Sequence, residues 1–295
     1  MTVLDQATRL RQIARRVQPH AQTIAITSGK GGVGKTNLAA NLAATLASMQ
    51  RRVILLDADL GLANADILCN VQPRYNLAHV VAGQRTLDEV IAPVPLPGLP
   101  SAQGMLSLIA GASGLARMAD LPEADRALLV EQLETLPQHA DVVIIDTGAG
   151  IGRNVLSFAA PADHVTVVTT PEPTAITDAY AVIKVLTRAG ATGRISIMVN
   201  QVRSRDEARI VHERIASVTR QFLGADISFA GYVVSDPVVP LSVRKRTCFV
   251  SEYPNSAAAQ CIRAWANRID HNVDVAAYAV PSPRSFFSRL AGWWR

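Results

Sequence analysis

The chain has 295 residues, 49% of them hydrophobic and 18% charged, with a net charge of +5. That length suits one large α/β domain with short tails, and the apolar content suffices for a full core. No run approaches the roughly 18 apolar residues of a membrane span, and the amino end lacks the apolar region of a signal peptide, so neither is expected.

Cys69, Cys248 and Cys261 are widely spaced, with no C-x-x-C pair. That fits a reducing cytoplasm and argues against a disulfide framework or a structural zinc site. The six histidines are scattered, without metal-ligand spacing, and no Ser-His-Asp or Cys-His arrangement is readable. The positive balance admits nucleic acid or anionic lipid as a partner, and arginine is concentrated at the two ends.

In chain order, residues 1–20 form a separate terminal segment, with a helix expected from about Leu4 to Val17 and closed by Pro19. Val3, Leu10, Ile13 and Val17 share a face, and Arg9, Arg11, Arg15 and Arg16 supply charge. This reads as a basic amphipathic docking element; a frayed terminus is the alternative.

Residues 21–270 carry an alternation of strands and helices. The apolar run Thr23–Thr27 leads into Ser28-Gly29-Lys30-Gly31-Gly32-Val33-Gly34-Lys35-Thr36, followed by a helix to Met49. Strands are expected to end at Leu56 and Asp146, then at Thr170 (from His164), Val199 (from Ile195) and Val233 (from Ile227). Helices are expected over Thr174–Arg188, Asp206–Phe222 and Ser256–Ile269. The pattern predicts a doubly wound, mostly parallel α/β sheet with helices on both faces. Pro93, Pro95, Pro97 and Pro100 mark an exposed loop, and residues 271–283 read as a linker.

The segment from Gly29 to Thr36 satisfies the P-loop pattern, strand before and helix after. Its glycines let backbone N–H groups approach a phosphate, so Gly29, Lys30, Gly31, Gly32, Val33, Gly34, Lys35, Thr36 and Asn37 are candidate nucleotide contacts. Lys35 is expected on the β- and γ-phosphates of ATP or ADP, and Thr36 on Mg²⁺. Val53–Leu56 ends in Asp57-Ala58-Asp59, and Val142–Ile145 ends in Asp146. Such carboxylates lie at the crevice where parallel sheets bind ligands. Hydrolysis needs charge neutralisation and an oriented water. Asp59 is the candidate for the water; Asp57 and Asp146 are candidates for the metal. Asn200 and Asp236-Pro237 follow strands and on position alone read as turn signals.

Residues 284–295 form the last segment. At helical spacing Phe286, Leu290, Trp293 and Trp294 share a face, with Phe287 beside it and three arginines in the stretch. A short basic helix with an aromatic face reads as a membrane-surface anchor. A helix packed back on the core is the alternative.

The second loop lysine, Lys30, resembles the deviant Walker A motif of the MinD/ParA ATPases; a solvated surface lysine is the other reading. The stretches Leu56–Asp66, Asp146–Ile151, Thr169–Tyr180 and Val199–Val202 are also similar to that class, and Asp5-Gln6-Ala7 with Leu10-Arg11 resembles the activation segment of the FlhG/FleN flagellar-number regulators. The resemblance covers nearly the whole chain. It implies a slow ATPase that cycles between a cytoplasmic monomer and a dimer on the inner membrane face at the cell pole. It implies that Lys30 crosses the dimer interface to the partner's nucleotide, that Asn200 and the loop beginning at Asp236 contact the adenine base, and that Asp5, Gln6, Ala7, Leu10 and Arg11 stimulate an FlhF-type signal-recognition GTPase. Flagellar switch or C-ring proteins, and in some family members a flagellar transcription activator, are the further partners implied. Asn37 departs from the Thr or Ser common after Thr36. A MinD-type division ATPase, a ParA-like DNA-binding ATPase and a nucleotide-bound scaffold without turnover are the alternatives. The aromatic tail points to lipid rather than DNA.

Overall fold

The computed structural model describes residues 21–59, 61, 63–99, 102, 104–111, 123–191, 193–270, 286, 289 and 290. Strand β1 (Gln22–Ser28) is followed by helix α1 (Lys35–Ser48), β2 (Val53–Ala58) and the short α2 (Ala65–Leu68). Then come β3 (Ile91–Pro93), β4 (Leu106–Ile109), β5 (Val142–Ala149) and α3 (Arg153–Ala159). The second half repeats strand and helix: β6 (His164–Thr169), α4 (Pro173–Arg188), β7 (Arg194–Val202) and α5 (Arg205–Leu223). It closes with β8 (Ser228–Val234), α6 (Val238–Lys245) and α7 (Ala257–Asp270).

The eight strands form one sheet in the order β3-β4-β2-β5-β1-β6-β7-β8. Only the β3–β4 pair is antiparallel. Strand β2 is buried along its whole length, and β5 through its first six residues. Their unbroken Val/Ile/Leu runs suit strands covered on both faces. One face of the sheet carries α1 and α7, with Leu38, Leu42, Leu46, Ile262 and Trp265 in its core. The other carries α3, α4 and α5, with Phe158, Val182, Ile183, Val211 and Ile215. Helix α5 shows why these boundaries fall where they do. The Ser204 hydroxyl accepts the Glu207 N–H at its start, and Gly224 takes φ 61° at its end.

The doubly wound parallel sheet agrees with the reading of the sequence. The differences are local. Strands β2, β5 and β7 run past their expected ends, because the chain stays paired as it enters the functional loops. The proline stretch is not simply a loop. Pro93 ends an edge strand, and Val94 and Leu96 alternate into the core while Pro93, Pro95 and Pro97 face outward. Proline is tolerated there because an edge strand leaves N–H groups unneeded by the ladder. Among the described residues no helix is long and apolar enough to cross a membrane.

Candidate functional site

Strand β1 lies at the middle of the sheet, between β5 and β6, and the P-loop leaves its C-terminal end. Gly34 turns the loop into α1 with φ 87°, a left-handed conformation that favours glycine. Gly29 is required for a different reason: a Cβ there would collide with the backbone of Asp178 on α4. Gly31 and Gly32 face open space, which is the room a phosphate needs.

Lys35, the first residue of α1, is 7% exposed, and its Nζ lies 2.8 Å from Asp146 Oδ1. Burial pushes the Asp146 carboxyl up, while the Lys35 ammonium and the Thr36 hydroxyl oppose that shift. Asp146 Oδ2 is buried without a hydrogen-bond partner. An orphaned carboxylate oxygen beside the Thr36 hydroxyl is an oxygen donor set suited to Mg²⁺, which takes one or two protein ligands and fills the rest with water and phosphate. The residues present therefore fit the metal and a nucleotide.

Asp57, expected at the metal, pairs in register with Asp146 across β2 and β5. Its Oδ1 accepts the Asp59 N–H at 3.0 Å, and its Oδ2 accepts those of Asn64 and Ala65 at 3.1 Å. Asp57 thus ties together the backbone of Asp59, Asn64 and Ala65. Burial, then the charge of Asp146, pushes its carboxyl up to about 7. The sign follows from linkage. The folded protein keeps a proton that the unfolded chain loses near pH 3.8, so stability from this group is greatest below that pH and falls as pH rises to about 7. At 1.36 kcal/mol per unit the loss is about 4 kcal/mol at most. Urea unfolding of the nucleotide-free protein should show this fall, and Asp57→Asn should flatten it. An equal slope in the variant would show that another group titrates.

Asp59 lies at the rim of the same crevice. Its Oδ1 accepts the Gly61 N–H at 3.2 Å, and a Cβ on Gly148 would stand 3.5 Å from that oxygen. The fold thus brings Asp59 against the C-terminal end of β5, within van der Waals reach of Gly148. Lys30 lies on the outer side of the P-loop. Its Nζ is 2.8 Å from Glu172 Oε2 and 3.3 Å from Thr174 Oγ1. The Glu172 hydrogen bond and charge raise its pKa, and Asp178 adds to them.

Three expected nucleotide contacts also have partners within the fold. Asn200, 8% exposed, donates from Nδ2 to the Val33 carbonyl at 2.8 Å and so holds the P-loop from below. Asp236 accepts the N–H groups of Val238 and Ala258, tying the starts of α6 and α7 together. Asn37 Oδ1 accepts from Asn41 Nδ2 at 2.6 Å, one turn along α1. Glu172 and Asp178 were not identified as site residues from the sequence. The available signal was a glutamate between Pro171 and Pro173, directly after a strand.

At the carboxyl end, Phe286 and Leu290 are buried in the core on the α3–α5 face. Arg289 Nη2 lies 2.7 Å from Asp163 Oδ1, and its Nε donates to the Pro161 carbonyl at 2.8 Å. Asp163 Oδ2 in turn accepts from the backbone N–H and hydroxyl of Thr23 on β1. Two side chains of the expected membrane face therefore pack on the core, as the alternative reading had it. Phe287, Trp293 and Trp294 lie outside the described residues, as do Asp5, Gln6, Ala7, Leu10 and Arg11.

A glycine loop on the central strand, a buried Lys–Asp pair at its base and a second lysine on its rim define a P-loop nucleotide hydrolase. Residues 21–198 match the AAA domain family. The chain is 39% identical over 249 residues to the antiactivator FleN of Pseudomonas aeruginosa, covering 84% of this chain and 86% of that protein. It is 34% identical over 275 residues to the flagellum site-determining protein YlxH of Helicobacter pylori, covering 90% and 88%. The septum site-determining protein MinD of Pyrococcus horikoshii OT3, solved with Mg-ADP, superposes with a TM-score of 0.69 at 25% identity, over 88% of this chain and all of that one. The chain belongs to the MinD/ParA family of deviant Walker A ATPases, alongside FleN and YlxH.

Proposed function

We propose that this ATPase is a dimerisation-controlled switch that regulates flagellar number and placement from the cytoplasmic membrane. The observation that carries this is the second loop lysine, Lys30, exposed on the rim of a complete P-loop site in a chain so similar to FleN and YlxH. ATP is the substrate, with its phosphates on the loop 29–36 and Lys35. Bound Mg²⁺ would neutralise charge on the β- and γ-phosphates, with Thr36 and Asp146 as its protein contacts. Asp59 orients the attacking water, and Lys30 reaches the nucleotide of a second copy.

In this reading the terminal segment with Asp5, Gln6, Ala7, Leu10 and Arg11 stimulates an FlhF-type GTPase. Flagellar switch or C-ring proteins dock on the core, and a flagellar transcription activator is a further partner. Cells lacking the chain should carry extra or misplaced flagella and divide normally. Normal flagella with minicells would overturn the reading in favour of a division ATPase.

The tail supplies the membrane contact. Burying Phe286 and Leu290 stabilises the docked form by about 1.5–3 kcal/mol per side chain before ordering is counted. The Arg289–Asp163 pair adds a charge-assisted bond. Asp163→Asn keeps an acceptor for Thr23 but removes the ion pair, and should raise liposome binding of the ADP-bound protein roughly tenfold. Co-sedimentation with anionic vesicles reads this out. Unchanged binding would mean that the docked tail does not limit attachment.

A further inference from the structure

Along β6, β7 and β8 the positions that face α1 and α7 change character. Val168, Met198 and Val233 are buried in the core on that face. Side chains alternate between faces along a strand, so His164 and Thr166 share the face of Val168, and Arg194 and Ser196 that of Met198. They stand in register, His164 opposite Arg194 and Thr166 opposite Ser196, with Ser228 opposite Ser196 on β8. Apolar runs are the rule on the covered faces of a parallel sheet. A block of polar side chains there gives up apolar burial, and such local departures fall at functional sites. We propose that the cleft between these strands and the last turns of α7 is a second anion site, one that takes a phosphate group.

The cleft is closed on its α7 side by Trp265, Arg268 and Ile269, and none of the described side chains lining it is acidic. Its charge comes from two guanidinium groups, each oriented by β8. Arg194 Nε donates to Ser228 Oγ at 3.1 Å, and Arg268 Nη2 donates to the Ala230 carbonyl at 2.6 Å. The second contact is built into the backbone. The pairing of β7 with β8 skips Ala230, and Gly231 follows at φ 140°, where a Cβ would collide with Arg268 Nη2. Bulges of this kind re-aim side chains beside sites. Planar guanidinium groups match phosphate oxygens, and two of them balance a dianion. The cleft's volume of about 70 Å³ holds roughly five waters, which suits one phosphate group and is too small for a nucleotide. The site is separate from the P-loop. Gln22, at its edge, begins β1, and the P-loop leaves the other end of that strand, about 20 Å away. Residues 1–20 precede that strand and residues 271–283 follow α7, so the phosphate sits where both terminal segments join the core.

The test uses the full-length protein with its P-loop saturated by Mg²⁺ and a non-hydrolysable ATP analogue, so that added phosphate has no place there. Isothermal titration with inorganic phosphate at constant ionic strength should show saturable binding. Arg194→Gln should weaken it by about tenfold or more. Ser196→Val keeps both arginines and suits a strand, but it lines the floor of the cleft with methyl groups and should weaken binding as well. It decides the matter if Arg194→Gln does not fold. Glycerol 3-phosphate separates the two sources of the group. Binding as tight as that of inorganic phosphate would support a phosphate ester as the ligand, and binding of inorganic phosphate alone would support the free ion. No saturable binding in the parent protein would overturn the proposal. So would an unchanged affinity in Arg194→Gln, or in Ser196→Val where that variant decides, because the anion would then lie elsewhere. Chloride bound as tightly as phosphate would overturn it too.

Discussion

Lys35→Ala is expected to abolish ATP binding, lowering affinity by about a hundredfold or more. The ammonium is buried at the base of the loop, and it faces Asp146 at 2.8 Å. Its removal has a second effect that is separable from the first. Asp146 is fully buried and one of its oxygens is already without a partner. A buried carboxylate stripped of its counter-charge costs about 3–5 kcal/mol, so the variant should unfold at lower denaturant as well. Lys35→Ala with Asp146→Asn removes the orphaned charge and should recover most of the stability without recovering binding. Titration with a fluorescent ATP analogue, beside urea unfolding of both variants, separates the effects. ATP affinity retained in the folded double variant would contradict the assignment of the loop.

Asp59→Ala is expected to do the opposite to the nucleotide complex. Positioned proton acceptors contribute about a hundredfold to ten-thousandfold, so turnover should fall by about a hundredfold or more. Binding should persist, because Asp59 lies at the rim of the site and the loop around it is held by Asp57. The variant should accumulate as the ATP dimer and stay on anionic vesicles. A turnover rate equal to that of the parent protein would remove Asp59 from its role. Loss of nucleotide binding would instead mean that the loop 58–65 had lost its shape.

The site was legible in the sequence where its chemistry is local. The P-loop is one contiguous stretch, and its spacing alone specifies strand, turn and helix. Asp59 and Asp146 could be singled out because each comes at or just beyond the end of an unbroken apolar run, and such runs end at the ligand crevice of a parallel sheet. The carboxylate of Asp57 follows the same kind of run, but its three N–H partners come from residues 59, 64 and 65, a fold-back that no periodicity announces. Asn200 is 167 positions from Val33, and Glu172 is 142 positions from Lys30. Such contacts exist only once β6 and β7 are laid beside β1. The tail shows the same limit more sharply. Phe286 and Leu290 make an apolar helical face whether the surface they meet is lipid or protein. Only the position of Asp163, held by Thr23 on β1, shows where Arg289 docks on the core.

The edge of the sheet was hidden for another reason. Four prolines between residues 93 and 100 read as a loop, yet Val94 and Leu96 keep a strand-like alternation into the core. Composition signals where a ladder is interrupted, and an edge strand needs only part of a ladder.

The central claim is that ATP, and not ADP, brings two copies of this chain together through Lys30. Sedimentation velocity of the Asp59→Ala protein with Mg-ATP and with Mg-ADP tests it most directly. The account predicts a dimer with ATP, a monomer with ADP, and a monomer in both when Lys30→Ala is added. A single species of the same mass with either nucleotide would contradict it.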